Sequence, residues 1–181
     1  MQKLRTVDAD TLLYEPIEKP RFVVDGLIPA GLVLFCGAQK IGKSWLMLKL
    51  CLCVSQGLPL WEMPTTQGDV LYLCLEDTFS RIQDRLFQVT DEASGRLHFA
   101  VASGKLTDGL TVQLEDYLKD YPDSKMIVID TLQKVRTTSK DNTIHLMSLN
   151  IMFGISEQRN PRSSIRRIMM LLRIPISSSF L

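Results

Sequence analysis

Residues 35–48, FCGAQKIGKSWLML, join an apolar run to an amphipathic run through a loop that contains two glycines and a Lys-Ser pair. The apolar residues from Leu32 to Cys36 predict a short buried strand, and the spacing of apolar residues from Lys43 to about Gln56 predicts a helix. Gly57, directly after that run, is a common helix stop. A strand, a glycine-containing loop and a helix in this order are typical of α/β folds, so this segment constrains the fold of the whole chain.

The rest of the chain also alternates apolar runs with amphipathic runs. Further strands are predicted at Gly68–Asp77, His98–Ala102 and Lys125–Gln133, and further helices at Phe79–Phe87 and Leu110–Tyr121. This alternation predicts an α/β fold with a mostly parallel sheet flanked by helices. At 181 residues the chain is long enough to bury one hydrophobic core.

Composition argues against secretion and against a membrane protein. Hydrophobic residues make up 45% of the chain, but no uninterrupted apolar run approaches the roughly 18 residues of a membrane span. Residues 1–16 include acidic residues and no apolar stretch of signal-peptide length, which predicts a cytoplasmic protein. The four cysteines lie in apolar segments without a Cys-x-x-Cys pair, so they are predicted to be buried thiols rather than metal ligands: Cys36, Cys51, Cys53 and Cys74.

The loop sequence GAQKIGKS fits the pattern G-x-x-x-x-G-K-[ST], and the strand before it and the helix after it are the context that this motif requires. Glycines let backbone N–H groups surround an anion, and the helix N-terminus adds partial positive charge. Lys43 is predicted to reach the β- and γ-phosphates of ATP, and the Ser44 hydroxyl to ligate Mg²⁺. The alternative is a glycine-rich turn that matches by chance. The residues predicted to bind nucleotide here are Gly37, Ala38, Gln39, Lys40, Ile41, Gly42, Lys43, Ser44 and Trp45.

Asp130 follows the apolar run MIVI at the end of a predicted strand. Ligands bind at the carboxyl ends of the strands in parallel sheets, so a carboxylate there lies on the ligand side. Beside a phosphate-binding loop it would hold Mg²⁺ through water, whereas the alternative role is to cap a turn before Thr131.

Glu76 and Asp77 end another predicted strand. A carboxylate beside the γ-phosphate could orient and deprotonate the attacking water, but acidic residues also favour the start of the helix that follows. The residues alone leave both roles open. Arg81 and Arg85 lie four apart on that helix, where they are either a solvated face or, for one of them, a contact along the nucleotide.

Three separated segments carry a family resemblance: residues 25–54 with DGLIPAGLVLFCGAQKIGKSWLMLKLCLCV, residues 68–86 with GDVLYLCLEDTFSRIQDRL, and residues 126–136 with MIVIDTLQKVR. Together they resemble the RecA-like P-loop ATPases of the RepA type, AAA-family ATPases of plasmids, phages and mobile elements. The resemblance runs from about Phe22 to Asn142. It implies a RecA-like core that uses ATP and Mg²⁺. In the replicative members it also implies a hexameric ring helicase with nucleotide at the subunit interfaces, so single-stranded DNA and further copies of the chain are the implied partners, with no membrane.

The resemblance also implies roles for individual residues. Lys43 and Ser44 match the P-loop pair, with Lys43 in a catalytic role and Ser44 on the metal. Asp130 matches the Walker-B aspartate that holds Mg²⁺. Glu76 matches the catalytic glutamate, and Arg85 matches the position of an arginine near the nucleotide base.

The last part of the chain departs from this family pattern. Residues 1–150 contain 16 Lys and Arg against 19 Asp and Glu, a net charge of −3, whereas residues 151–181 contain five Arg against one Glu, a net charge of +4. The predicted organisation is an extension at 1–21, a RecA-like core at 22–142 and an atypical tail at 143–181. We hypothesise that the tail reflects a shifted reading frame or a truncated gene, with a disordered segment as the alternative. Translation of the encoding DNA in the other two frames tests this.

The RecA-like sheet has a strand between the P-loop strand and the Walker-B strand, and the expectation is that this chain lacks it. Arg167–Ile176 has the apolar length of a strand, but Arg173 and Pro175 argue against a central position. His145 comes too early to sense the γ-phosphate.

The leading functional hypothesis is an ATP-hydrolysing domain of a mobile-element replication protein that acts on DNA. The alternative is a non-catalytic nucleotide-binding regulatory protein or an inactive truncated remnant. A third reading makes residues 151–181 a basic arm for nucleic acid or a membrane surface.

Overall fold

The computed structural model describes Leu4 and residues 6–16, 20–38, 40–136 and 148–155. The elements in chain order are α1 (Ala9–Tyr14), β1 (Phe22–Val24), β2 (Ile28–Pro29), β3 (Gly31–Gly37), α2 (Lys43–Gln56), β4 (Asp69–Cys74), α3 (Phe79–Val89), β5 (Leu97–Ala100), α4 (Leu110–Asp120), β6 (Ser124–Asp130), α5 (Leu132–Val135) and β7 (Ser148–Gly154).

Within the described residues, five strands form the main sheet in the order β3-β7-β6-β4-β5. Strands β5, β4 and β6 are parallel, and β7 runs antiparallel to both of its neighbours, β3 and β6. Four strands therefore share one direction and β7 alone is reversed. Strands β1 and β2 form a separate antiparallel pair.

Strand β6 has the sequence expected of a strand covered on both faces. All seven of its residues, SKMIVID, are buried, and its apolar run does not alternate with polar residues. On one face the sheet packs against α2 and part of α3, and on the other against α4 and α5, which gives two apolar clusters separated by the sheet. The mixed α/β architecture, with a mostly parallel sheet flanked by helices, is the predicted one.

Helix α2 packs against the centre of the sheet and is apolar on most of its surface. It begins after Gly42, which has a φ of 90°, and ends at Gly57, which has a φ of 72° and donates its N–H to the carbonyls of Cys53 and Val54. Both angles lie in the left-handed region, where a side chain is strained, so the two glycines set the helix ends where the sequence predicts them.

Some predicted bounds shift. The strand predicted at Gly68–Asp77 ends at Cys74, and the strand predicted at Lys125–Gln133 ends at Asp130, because the short helix α5 begins two residues later. The strand predicted at His98–Ala102 is Leu97–Ala100.

The expectation that the sheet lacks a strand between the P-loop strand β3 and the Walker-B strand β6 is wrong. Strand β7 fills this position and pairs with β3 over seven residues, from Gly31 opposite Gly154 to Gly37 opposite Ser148. Strand β7 was not predicted because it lies in the segment assigned to the tail and because it runs in the reverse direction. Residues 143–147 and 156–181, including His145 and Arg167–Ile176, lie outside the described residues, and the proposed boundaries of extension, core and tail stay predictions.

The prediction of four buried thiols is wrong for Cys36, which is exposed, whereas Cys51, Cys53 and Cys74 are buried. Among the described strands β3 is at the edge of the sheet, and Leu34, two residues earlier on the same face, is also 43% exposed. Within the described residues, no helix has both the length and the apolar character needed to cross a bilayer.

The place of β7 in the core predicts the effect of Phe153→Ala. Phe153 is fully buried in the cluster that α4 and α5 cover, so its loss should lower the free energy of unfolding by about 3–5 kcal/mol. The matched variant Phe87→Ala removes a ring that is largely exposed, and should change it by less than about 0.5 kcal/mol. Urea unfolding followed by circular dichroism measures both, and equal stabilities would contradict the assignment of β7 to the sheet.

Candidate functional site

The carboxyl ends of β3, β4 and β6 meet at one edge of the sheet, because these three strands share a direction. The phosphate-binding loop follows β3, Glu76 follows β4, and Asp130 ends β6. The topology therefore brings together three motifs that the sequence places far apart, at the edge where ligands bind in sheets of this kind.

The loop between β3 and α2 has the backbone that its glycines allow. A side chain at Gly37 would come within 2.6 Å of Ile41 Cδ1, and Gly42 precedes the helix with no side chain to cap its first N–H groups. Lys40 has a φ of 63°, in the left-handed region. The first turn of α2 thus keeps the N–H donors and the partial positive charge that favour an anion. Ala38 and Trp45 lie in the described part of this segment, and Gln39 lies outside it.

Lys43 is buried, with 7% of its surface exposed, although it carries an ammonium group. Its Nζ donates to the carbonyl oxygens of Gly37, at 2.9 Å, and Ala38, at 2.5 Å. Among the residues the structure describes, no carboxylate lies within 4.0 Å of it. A buried charge without a countercharge is costly. A phosphate group fits this position because it would supply the missing negative charge.

Ser44 and Asp130 are in direct contact across the gap between α2 and β6. The Ser44 hydroxyl donates to Asp130 Oδ2 over 2.7 Å, and the Tyr72 hydroxyl donates to the same oxygen over 2.9 Å. Burial raises the pKa of the Asp130 carboxyl above its ordinary value, and the two hydrogen bonds oppose this by stabilising the ionised form.

The donors at this point fit Mg²⁺. Mg²⁺ prefers oxygen ligands and is commonly held by one or two protein groups, with water and substrate phosphates completing the coordination. In the described part of the chain, no group of three or more His, Cys, Asp or Glu side chains is arranged to hold a metal ion. A hydroxyl and a carboxylate beside a phosphate-binding loop are therefore suited to a metal that arrives with its phosphate ligands.

Glu76 is exposed, and its Oε1 accepts a hydrogen bond from the Thr131 hydroxyl over 3.1 Å. The helix-start role that the sequence left open belongs instead to Thr78, whose side chain accepts from the N–H of Arg81 and caps α3. Glu76 thus faces the residue after Asp130, which agrees with a role at the ligand edge.

Asp77 pairs with the two arginines of α3. It contacts Arg81 at 3.2 Å and forms a shorter contact with Arg85. Most of the Arg81 side chain is exposed, whereas Arg85 is mostly covered and its guanidinium carbon lies 5.7 Å from the centre of the Trp45 ring. Arg85 is therefore a fixed cation next to the first turn of α2, not part of a solvated face.

Two residues at this edge, Tyr72 and Asn150, are not predicted from the sequence. The residues around Tyr72 predict only that it belongs to a strand with apolar neighbours. No pattern in the sequence indicates its contact with Asp130. Asn150 is fully buried on β7 opposite Phe35, and neither side-chain nitrogen nor oxygen has a hydrogen-bond partner among the described residues. The antiparallel register of β7 against β6 pairs Ile129 with Ile151, which brings Asn150 level with Asp130. Asn150 lies in the segment assigned to the atypical tail, where the sequence does not match the family, so no pattern predicted that it would lie beside Asp130.

The raised pKa of Asp130 predicts how Asp130→Asn changes stability. The native state holds the proton more tightly than the unfolded state, whose value is near 3.8, so the ionised form opposes folding at pH 7. Asparagine removes the charge and still offers one oxygen to Ser44 and Tyr72. We expect the nucleotide-free variant to be more stable than the wild type at pH 7, and this gain to disappear as the pH falls below about 4.

Urea unfolding at several pH values measures this difference. The exposed Asp84→Asn is the matched control and should show no comparable gain. A loss of stability in Asp130→Asn at pH 7 would contradict the prediction.

A comparison with known families matches residues 1–145 to a family described as AAA domain. Searches of curated proteins and of solved structures gave no match. The matched stretch is 145 of the 181 residues and contains the loop, Glu76 and Asp130. The chain therefore belongs to the AAA domain family and carries an ATPase-type nucleotide-binding domain.

Proposed function

We propose that this chain binds ATP with Mg²⁺ at the carboxyl edge of its sheet and hydrolyses it, as a replication ATPase of the RepA type. The observation that carries the proposal is the 2.7 Å contact between Ser44 and Asp130 beside the buried ammonium of Lys43. It joins a residue of the loop to one 86 positions later in the chain, in the arrangement that a metal–phosphate complex needs.

Each part of the edge has a task in binding. The loop N–H groups and the start of α2 surround the phosphates, and Lys43 exchanges its carbonyl partners for phosphate oxygens. Ser44 and Asp130 hold Mg²⁺, which neutralises charge on the phosphates when bound. Trp45 lies in the first turn of α2 with Arg85 over its ring, where both can contact the rest of the nucleotide.

Glu76 is the residue that we assign to the attacking water. Its carboxylate is exposed and ionisable, and the hydrogen bond from Thr131 fixes it at the end of β4, next to the end of β6. A carboxylate in this place can accept a proton from water as the water attacks.

The action on DNA and the ring assembly rest on the resemblance to RepA-type ATPases. Residues 1–150 carry a net charge of −3, which does not attract DNA overall, so a ring pore formed by several copies is the more suitable path. The proposal therefore includes a homo-oligomer, hexameric as in the replicative relatives, with single-stranded DNA as its partner. It places this assembly in the cytoplasm.

A second candidate is a regulatory protein that binds nucleotide without turnover. One observation favours it. Strand β7 starts beside the phosphate-binding loop, with Ser148 opposite Gly37, and ends at the other edge of the sheet, with Gly154 opposite Gly31. In RepA-type relatives the basic residues that sense the γ-phosphate follow this strand, and a strand that ends away from the loop favours binding over hydrolysis.

Lys43→Ala should weaken ATP binding at least tenfold, because it removes the buried cation that faces the phosphates. A fluorescent ATP analogue titrated in magnesium buffer measures the dissociation constant. Lys49→Ala is the matched control: it lies on the same helix but is exposed, and it should bind like the wild type. If the wild type shows no saturable binding while it is folded, or if both variants bind equally, the proposed site is wrong.

Glu76→Gln should retain ATP binding and lose turnover by about 10²-fold or more, since glutamine cannot accept the proton of the attacking water. Steady-state phosphate release, measured with and without single-stranded DNA, gives the rate, and exposed Glu62→Gln is the control that should keep it. Binding without turnover in the wild type under both conditions would favour the regulatory protein, and unchanged turnover in Glu76→Gln would remove the role of Glu76.

A further inference from the structure

Tyr72 lies in the middle of β4 and is 2% exposed, yet its phenol reaches the candidate metal site. The Tyr72 hydroxyl is 2.9 Å from Asp130 Oδ2 and 3.4 Å from the backbone oxygen of Ser44. One side chain therefore contacts both residues that we assign to Mg²⁺.

The register of the sheet explains this reach. Tyr72 pairs with Val128 and Cys74 with Asp130, so Tyr72 lies two residues below the level of Asp130 on the neighbouring strand. Residues two apart on a strand point to the same face, and Tyr72 and Val128 both pack in the cluster under α2. The phenol is long enough to span this step diagonally.

The ring of Tyr72 is held in place independently of its hydroxyl. It packs in the core cluster, with its centre 5.9 Å from that of the Phe99 ring. The hydroxyl of this buried ring donates to Asp130 Oδ2 over 2.9 Å. A donor on a fixed ring can set the orientation of the group that accepts from it.

The hydrogen bonds from Ser44 and Tyr72 fall on the same oxygen of Asp130. Oδ2 accepts from both hydroxyls, and Oδ1 accepts neither. Two donors on one oxygen fix the plane of a carboxylate and leave the second oxygen for another ligand. A bound Mg²⁺ would take the oxygen of Ser44 as a ligand, so of the two hydrogen bonds only the one from Tyr72 would be independent of the metal.

We propose that Tyr72 is a positioning residue of the Mg²⁺ site, whose phenol holds the Asp130 carboxylate in the orientation that receives the hydrated metal. The inference rests on the proposed function and adds a residue to it. Tyr72 touches neither the metal nor the nucleotide, and acts through Asp130. A phenol that merely satisfies its own hydrogen bond in the core would matter for stability but not for metal affinity.

Metal affinity is the quantity that tests this role. Mn²⁺ replaces Mg²⁺, and its free concentration is read from its electron paramagnetic resonance signal during titration of the protein with a non-hydrolysable ATP analogue. Tyr72→Phe keeps the ring against Phe99 and removes only the hydroxyl. We expect the dissociation constant of Mn²⁺ to rise about tenfold, as is typical when a group that orients a metal ligand is lost. Binding of the same analogue in EDTA should change less than about twofold.

Tyr117→Phe is the matched control. Tyr117 is a partly buried tyrosine on α4 that packs on Tyr121, with ring centres 4.7 Å apart, and it belongs to the cluster on the other face of the sheet. Its variant loses a hydroxyl of the same kind without contact to Asp130, and should bind Mn²⁺ like the wild type. A tenfold loss in both variants would show a general effect of the core and overturn the positioning role.

The Asp130→Asn variant shows whether Tyr72 affects the Mn²⁺ affinity through Asp130 or in another way. Adding Tyr72→Phe to Asp130→Asn should leave the Mn²⁺ affinity of that background unchanged, because the group that Tyr72 orients no longer binds the metal as a carboxylate. A further tenfold loss in the double variant would overturn the proposal.

If Tyr72→Phe does not fold, a ¹³C nuclear magnetic resonance spectrum of the wild type tests the proposal instead. The chain has four tyrosines, so labelling with tyrosine carrying ¹³C at Cζ gives four resonances, which single Phe variants of Tyr14, Tyr117 and Tyr121 assign. Metal added to the nucleotide complex should shift the resonance of Tyr72, and an unmoved resonance would overturn the proposal.

The outcomes distinguish this inference from the proposed function. Folded wild type that takes up no Mn²⁺ with the ATP analogue would refute the nucleotide site itself and the inference with it. Wild type that takes up Mn²⁺, together with a Tyr72→Phe variant of equal affinity, would refute the role of Tyr72 alone.

Discussion

The rest of the structure depends on one constraint, which is that the buried backbone of β6 must form its hydrogen bonds with neighbouring strands. All seven residues of the strand are covered, so its backbone N–H and C=O groups have no access to water and must be bonded by neighbouring strands. Strand β4 supplies one neighbour and β7 the other. An unpaired group in this place would cost about 1–3 kcal/mol, which makes both neighbours part of the folding requirement.

This constraint also builds the candidate site. Because β6 is held on both sides, Asp130 is fixed at its end, and α2, packed over the same face, carries Ser44 to within 2.7 Å of it. The packing of α2 on the sheet is therefore what places Ser44 next to Asp130. The buried ammonium of Lys43 and the raised pKa of Asp130 are the electrostatic cost of this arrangement, and a bound metal–phosphate complex would relieve both.

Much of this could be predicted from the sequence, because the strongest signals are local. The glycines at 42 and 57 mark the ends of α2, and the apolar run before Asp130 marks β6. The place of β7 could not be predicted in the same way. Its pairing with β3 and β6 joins residues over 100 positions apart in one case and over 20 in the other, and reversed direction leaves no local mark. Tyr72 shows the same limit, since its apolar neighbours predict a core residue and only the register with β6 reveals its contact with Asp130.

The reversed direction of β7 also decides where the chain leaves the sheet. A strand parallel to the others would end beside the phosphate-binding loop, but β7 starts there, with Ser148 opposite Gly37, and ends at the far edge, where Ile155 donates its N–H to the Lys125 carbonyl. Seven residues of extended chain span about 20 Å. Ile155 therefore lies roughly 20 Å from the phosphate-binding loop, so the chain leaves the sheet at the rim opposite that loop rather than beside it.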